Sequence, residues 1–113
     1  NFDTKTNPEE DIMKKAHLHL IKWGLKRGYT IEVDIEGEQE YRGTSFKEAK
    51  DASEAGDMGC IYLITGEAET DYSWFGYVHE WNQSPDEIIY DYGLDAVSEA
   101  WAADYDQHCS EVA

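Results

Sequence analysis

From Asp51 to the C-terminus the chain contains no lysine and no arginine. All nine basic residues lie at or before Lys50, whereas ten acids fall in residues 1–50 and fifteen in residues 51–113. The first half is therefore near neutral, and the second carries almost all of the formal net charge of −16. A small domain with this charge repels itself, so it folds against an electrostatic cost that a neutral chain does not meet. Apolar packing has to offset that cost. Apolar residues make up 41% and aromatics 13% of the sequence, too much for a disordered chain even at this charge. Ten of the fifteen aromatics, among them Trp74, Trp81 and Trp101, lie in the acid-only half.

A length of 113 residues corresponds to one domain. The charge argues against direct binding of nucleic acid, because polyphosphates are repelled at long range. It disfavours anionic membranes for the same reason, and no stretch reads as a signal peptide or a membrane span. The favoured partner is basic, such as a protein surface that itself binds nucleic acid. Cys60 and Cys109 are too few for a disulfide framework and read as reduced, buried thiols of a cytoplasmic protein.

Residues 1–7 are polar and read as a loose segment ahead of a single domain over 8–113. Asn7-Pro8-Glu9-Glu10 is a helix start, with Asn as cap and Pro at the first helical position. Ile12, Met13, Ala16, Leu20 and Trp23 recur at helical spacing, and Lys26-Arg27-Gly28 is a stop signal, which predicts a helix over 8–27. His17 and His19 fall on different faces of that helix, a poor metal pair, and are expected to be exposed or half-buried. Tyr29, Ile31, Val33 and Ile35 alternate with Thr30, Glu32 and Asp34, the signature of a half-buried strand. Gly37 turns the chain into a second strand at about 39–44. Ser45-Phe46-Lys47-Glu48 is a capping box opening a short helix that ends before Gly56.

The nearly continuous apolar run 58–65 predicts a strand buried on both faces. A polar turn over 67–71 leads into a strand over 72–81, with a bulge at Phe75-Gly76. After the loop 82–86 come a strand over 87–92 and a last helix over 95–109, with Val97, Trp101, Tyr105 and His108, or Ala102 in place of one of these, facing inward. The fold class is α+β: an antiparallel sheet of four to five strands with helices packed on it, in the order α-β-β-α-β-β-β-α.

No chemistry-bearing motif competes with the charge. There is no Ca²⁺-binding loop, and the ligand-type residues from Asp104 to Cys109 are scattered by helical geometry, so neither a metal nor a cofactor is expected. Without a phosphate loop, a nucleophile elbow or a Cys with an arranged His, and with carboxylate pairs available anywhere among twenty-five acids, the chain does not read as an enzyme.

The acids do have a pattern. Residues two apart on a strand are separated by about 6.6 Å and residues four apart on a helix by about 6 Å, comparable to successive phosphates on a DNA strand. Glu32, Asp34, Glu36, Glu38 and Glu40 alternate, as do Glu67, Glu69 and Asp71. Asp95, Glu99 and Asp106 share a face of the last helix with Asp104 nearby, and Asp86, Glu87 and Asp91 connect the sets. Such an array suits a channel built for phosphates, with Trp74 and Trp81 as ring anchors. The acids of residues 67–106 and these two rings are the expected partner-binding residues.

In size, composition and charge the chain resembles the small phage-encoded DNA-mimic proteins, the anti-restriction and anti-CRISPR inhibitors. The segment from Trp81 to Trp101, with Ser84-Pro85-Asp86-Glu87 and Asp91-Tyr92, also looks similar to small phage early proteins. DNA mimics share no common fold, so no site residue carries over from one to another. What the resemblance implies is an inhibitor of a host nucleic-acid-handling protein, acting in the bacterial cytoplasm. The alternative is an adaptor module that binds through exposed aromatics without mimicry, with a homodimer left open.

Overall fold

A computed structural model describes residues 13–112. Helix α1 (Ala16–Lys26) leads into strands β1 (Thr30–Ile35) and β2 (Glu38–Gly43), followed by α2 (Phe46–Ser53), β3 (Met58–Ile64) and β4 (Tyr72–Val78). A 3-10 turn over Pro85–Glu87 precedes β5 (Ile89–Tyr92), and α3 (Ala96–Val112) closes the chain. This is the α+β order expected from the sequence. The five strands form one sheet in the order β2-β1-β3-β4-β5, antiparallel at every step.

Period-two alternation decides which side chains meet the helices. Ile31 and Val33 of β1, Ile61 and Leu63 of β3, and Phe75 and Tyr77 of β4 are fully buried on one face. They join Leu18, Leu20, Ile21 and Trp23 of α1, Ala49 of α2, and Trp101 and Tyr105 of α3 in a single core cluster. The Trp101 ring meets Phe75 edge-on at 5.5 Å and stacks on Tyr105 at 5.3 Å between centroids. Helix α2 is capped as expected, Ser45 Oγ accepting from the Glu48 amide at 3.2 Å. Gly28 ends α1 with φ +82°, the left-handed conformation a helix terminus needs there.

Several boundaries differ from the sequence expectation. The proposed start at Asn7-Pro8 lies outside the described residues, and helix 8–27 is not continuous, because Lys15 is extended (ψ 119°) and α1 begins at Ala16. Strand β3 is buried on one face only. Its outward residues Cys60, Tyr62 and Ile64 are half-buried and Met58 is 52% exposed, since the helices cover one side of the sheet and not the other. Strand β4 stops at Val78, where the His79 amide donates instead to Asp57 O at 2.7 Å. The irregularity falls between Gly76 and Tyr77, against β5, close to the bulge expected at Phe75-Gly76. Strand β5 is shorter than 87–92 because Pro85–Glu87 takes the 3-10 turn, and α3 runs past 109.

His17 departs furthest from expectation. It is 1% exposed, and its Nε2 donates to Glu54 Oε2 at 2.9 Å, tying α1 to the end of α2. His19 is half-buried, and its Nδ1 accepts from Trp101 Nε1 at 3.0 Å.

Candidate interaction surface

The sheet face turned away from the helices carries the candidate surface. The strand register lines up its outward positions in rows, each row crossing the sheet. Arg42 of β2 pairs with Glu32 of β1, Glu32 with Tyr62 of β3, and Tyr62 with Trp74 of β4. The neighbouring row runs Thr30, Ile64, Tyr72, and the one on the other side runs Asp34, Cys60, Gly76, Asp91. Adjacent strands lie about 4.8 Å apart, so these outward side chains touch. Tyr62 and Tyr72 meet edge-on at 5.4 Å, and the Tyr90 ring lies over Gly76, where a Cβ would come within 3.0 Å of it. Trp74, Tyr72 and Tyr90 are 36%, 46% and 56% exposed. These rings lie side by side on the open face of the sheet and not in the core.

At one end of this face the β3–β4 loop rises beside the strands and encloses an open cleft of ≈ 440 Å³. Its walls are Glu32, Asp34, Arg42, Tyr62, Ile64 and Tyr72 from the sheet, with Glu67, Ala68, Glu69 and Asp71 from the loop. Five carboxylates thus face one guanidinium, and that guanidinium is already engaged, Arg42 Nη1 donating to Glu32 Oε1 at 2.7 Å. Asp34 Oδ1 is buried and has no hydrogen-bond partner among the described residues. Burial pushes the Asp34 carboxyl up to about 6, with the adjacent Glu32 carboxylate pushing the same way. Tyr62 is pushed up to about 12, chiefly by burial and then by its hydrogen bond with Cys60. The cleft is an anionic recess floored by rings, suited to a cationic group that is also planar.

Of the twelve residues expected to bind a partner, ten are exposed and two, Asp71 and Asp95, are half-buried. The structure does not bring them into one stripe. Glu67, Glu69 and Asp71 line the cleft just described. Trp81, 98% exposed, shares a hollow with Glu87 and Tyr90 at the other end of β4. Asp86 and Asp106 meet near Lys14 in a third hollow, and Glu99 is exposed on α3, a helix packed on the opposite side of the sheet. Asp91 lies on β5, its Oδ1 accepting from the Tyr92 amide at 2.9 Å. Two of the acids hold the fold together. Asp95 Oδ1 accepts from the Ser98 amide at 2.8 Å and from Ser73 Oγ at 3.1 Å, capping α3 and tying it to β4. Asp104 Oδ2 accepts from Trp23 Nε1 at 2.7 Å and Arg27 Nη2 at 3.2 Å.

The sequence reading missed Tyr62 and Tyr72 as surface residues and left Glu32 and Asp34 out of the partner-binding set. The missing signal was the face assignment of β3. Once its outward positions are open, the acids of β1 and the rings of β3 and β4 become neighbours. No group of three His, Cys, Asp or Glu among the described residues could hold a metal ion. No helix among the described residues is long and apolar enough to cross a membrane. In comparisons with known proteins, no family model, no curated protein and no solved structure matches this chain.

Proposed function

We propose that this protein is an acidic inhibitor that binds the nucleic-acid-binding surface of another protein and occupies it in place of the nucleic acid. The observation that carries this reading is the acid-only half of the sequence, fifteen acids without one Lys or Arg. Eight of the ten acids expected at the interface are exposed, and all of these but Asp104, which pairs with Arg27, offer their charge to a partner. A basic surface that accommodates phosphates gains from carboxylates through the same Arg and Lys contacts. The acids scatter over several parts of the surface rather than forming one stripe, so the reading rests on the amount and sign of the charge and not on a linear phosphate-like array. A bacterial cytoplasmic host protein of restriction, CRISPR, transcription or nucleoid type fits that description.

The test is affinity capture from bacterial lysate followed by a challenge with duplex DNA. Release of the captured protein by DNA, at a salt concentration that does not itself release it, is the expected result. A captured protein that stays bound under excess DNA would refute the mimicry.

The second reading is an adaptor that docks through its rings without mimicry. The exposure of Trp81, Tyr72, Trp74 and Tyr90 favours it, because Trp and Tyr dominate interface hot spots. Its partner would resist both DNA and salt.

A further inference from the structure

The outer face of the sheet has a composition of its own. On most surfaces acids and rings are segregated, with the rings inside. Here the row Glu32–Tyr62–Trp74 places a carboxylate, a phenol ring and an indole ring on consecutive strands, with Tyr72 against Tyr62 at 5.4 Å. The cleft at its end already holds one guanidinium, Arg42 against Glu32 at 2.7 Å. Another buried carboxylate oxygen, Asp34 Oδ1, has no hydrogen-bond partner among the described residues.

We infer that this face is a docking surface for an arginine-bearing segment of a basic protein, one guanidinium entering the cleft to stack on the exposed Tyr72 ring beside Tyr62 and to face Asp34 and Glu32. The proposed function supplies the sign of the partner's charge; the seat itself rests on the rings and carboxylates of the sheet. Charge complementarity selects this occupant, since five carboxylates of the cleft face one guanidinium. A second copy of the chain would bring another net charge of −16 to an already anionic face. Arginine suits the seat better than lysine for a geometric reason. Its guanidinium is planar, lies flat on a ring and presents a fork of donors to a carboxylate, whereas an ammonium is a strongly hydrated point charge. A buried, unpartnered carboxylate oxygen gains most from such a donor.

The experiment is a titration of the protein, at low salt, with a short peptide of alternating Arg and Ser and with its Lys counterpart, followed by amide and aromatic NMR shifts. The expected shifts are confined to Glu32, Asp34, Tyr62, Tyr72 and the 67–71 loop, with the Arg peptide about fivefold tighter than the Lys peptide. The exposed-ring variant Tyr72→Ser should reduce that preference to about twofold or less, and Glu32→Gln with Asp34→Asn should weaken Arg binding about tenfold. Equal affinity for both peptides, or shifts centred on the acids of α3, would overturn the proposal. So would concentration-dependent shifts of the same residues without peptide, which would mean that a second copy occupies the face. If the captured partner resists DNA while the Arg preference stands, the docking surface survives and the mimicry falls. If DNA releases the partner but the Arg preference is absent, the mimicry stands and this seat is wrong.

Discussion

Trp23 Nε1 donates a 2.7 Å hydrogen bond to Asp104 Oδ2, joining α1 to α3 across 81 positions of sequence. Arg27 completes the arrangement, donating to the same oxygen at 3.2 Å while its guanidinium carbon lies 3.7 Å from the Trp23 ring centroid. An indole N–H needs an acceptor when its ring is in the core, and Trp23 is only 6% exposed. Asp104→Ala should therefore cost roughly 1 kcal/mol of stability, while Asp104→Asn, which keeps a carbonyl acceptor, should cost less. Urea unfolding followed by tryptophan fluorescence measures both. If Asp104 acts inside the molecule, neither variant alters partner affinity once the folded fraction is accounted for.

Acid should destabilise the protein despite its surplus of carboxylates. Burial holds His17 down to about 4, with His79 and Lys15 pushing the same way against Glu54. Burial likewise holds His19 at about 4, with His108 and Lys26 pushing down and Asp104 opposing. A histidine whose folded value is depressed contributes stability that is present above its unfolded value of 6.5 and lost as pH falls toward 4. Asp34 has the opposite sign. Raised to about 6, it imposes a penalty at neutral pH that disappears as pH falls through that value. Near pH 6 the unfolded chain binds roughly 1.5 protons on the two histidines, against about half a proton on folded Asp34. The histidines win, and the melting temperature should fall from pH 7 to 4.5. Asp34→Asn should melt higher than the parent at pH 8 and converge with it near pH 5. Calorimetry at these pH values checks both statements, and a melting temperature that climbs on acidification would contradict them.

Two glycines are fixed by close approach. A Cβ at Gly59 would stand 2.5 Å from the backbone oxygen of Asp34 and 2.6 Å from Tyr77 Oη. A backbone oxygen in the middle of a sheet cannot give way, so Gly59→Ala should cost roughly 2–3 kcal/mol. At Gly24 the obstacle is the end of the Leu63 side chain, 2.7 Å away, with Ile31 Cδ1 at 3.2 Å. Alanine gains about 1 kcal/mol in helix propensity there, but both neighbours are fully buried and have nowhere to move. The net effect of Gly24→Ala should be a loss of roughly 1 kcal/mol, smaller than at Gly59. Denaturant midpoints rank the two; a Gly24→Ala protein more stable than its parent would show that the core yields.

The order of elements along the chain and the placement of the helices in it were readable because local signals agreed with the core. Ile31 and Val33 alternate with Glu32 and Asp34, and Ser45 precedes Glu48 at capping distance. Where two patterns overlapped, the sequence was ambiguous. Residues 58–65 are apolar at almost every position, which reads the same for a strand covered on both sides and for one whose outer face is open. The half-buried Tyr62 and Ile64 show that the outer face is open. His17 lies on a helix face that the spacing of apolar residues did not mark as core, yet Glu54 and the His79 ring, 4.8 Å away, enclose it. Those contacts depend on how α1 and α2 meet, which no local pattern encodes. The acids are the sharpest case. Asp95 and Glu99 read identically in sequence, four apart on one helix, but only Asp95 is engaged in a cap.

That difference decides how the interface should respond to neutralisation. Glu67 and Glu69 are exposed and line the cleft, whereas Asp71 Oδ2 also accepts from the Ala68 amide at 3.1 Å and shapes the loop. Each exposed charge contact to a basic surface contributes about 0.3–1 kcal/mol, so the effect should be additive and no single acid decisive. Glu67→Gln with Glu69→Gln should weaken partner binding roughly three- to tenfold without shifting the melting temperature downward. The α3 set behaves differently. Glu99→Gln with Asp106→Gln removes two exposed charges, but adding Asp95→Asn loosens the cap of α3 and should lower stability by roughly 1 kcal/mol. Binding at about 50 and 300 mM NaCl separates charge from packing, because exposed pairs are screened over that range. A loss confined to low salt is the signature of the acids. If both pairs of variants bind as the parent does, while Trp81→Ala or Tyr90→Ala abolishes binding at either salt concentration, the rings carry the interface and the adaptor reading takes over.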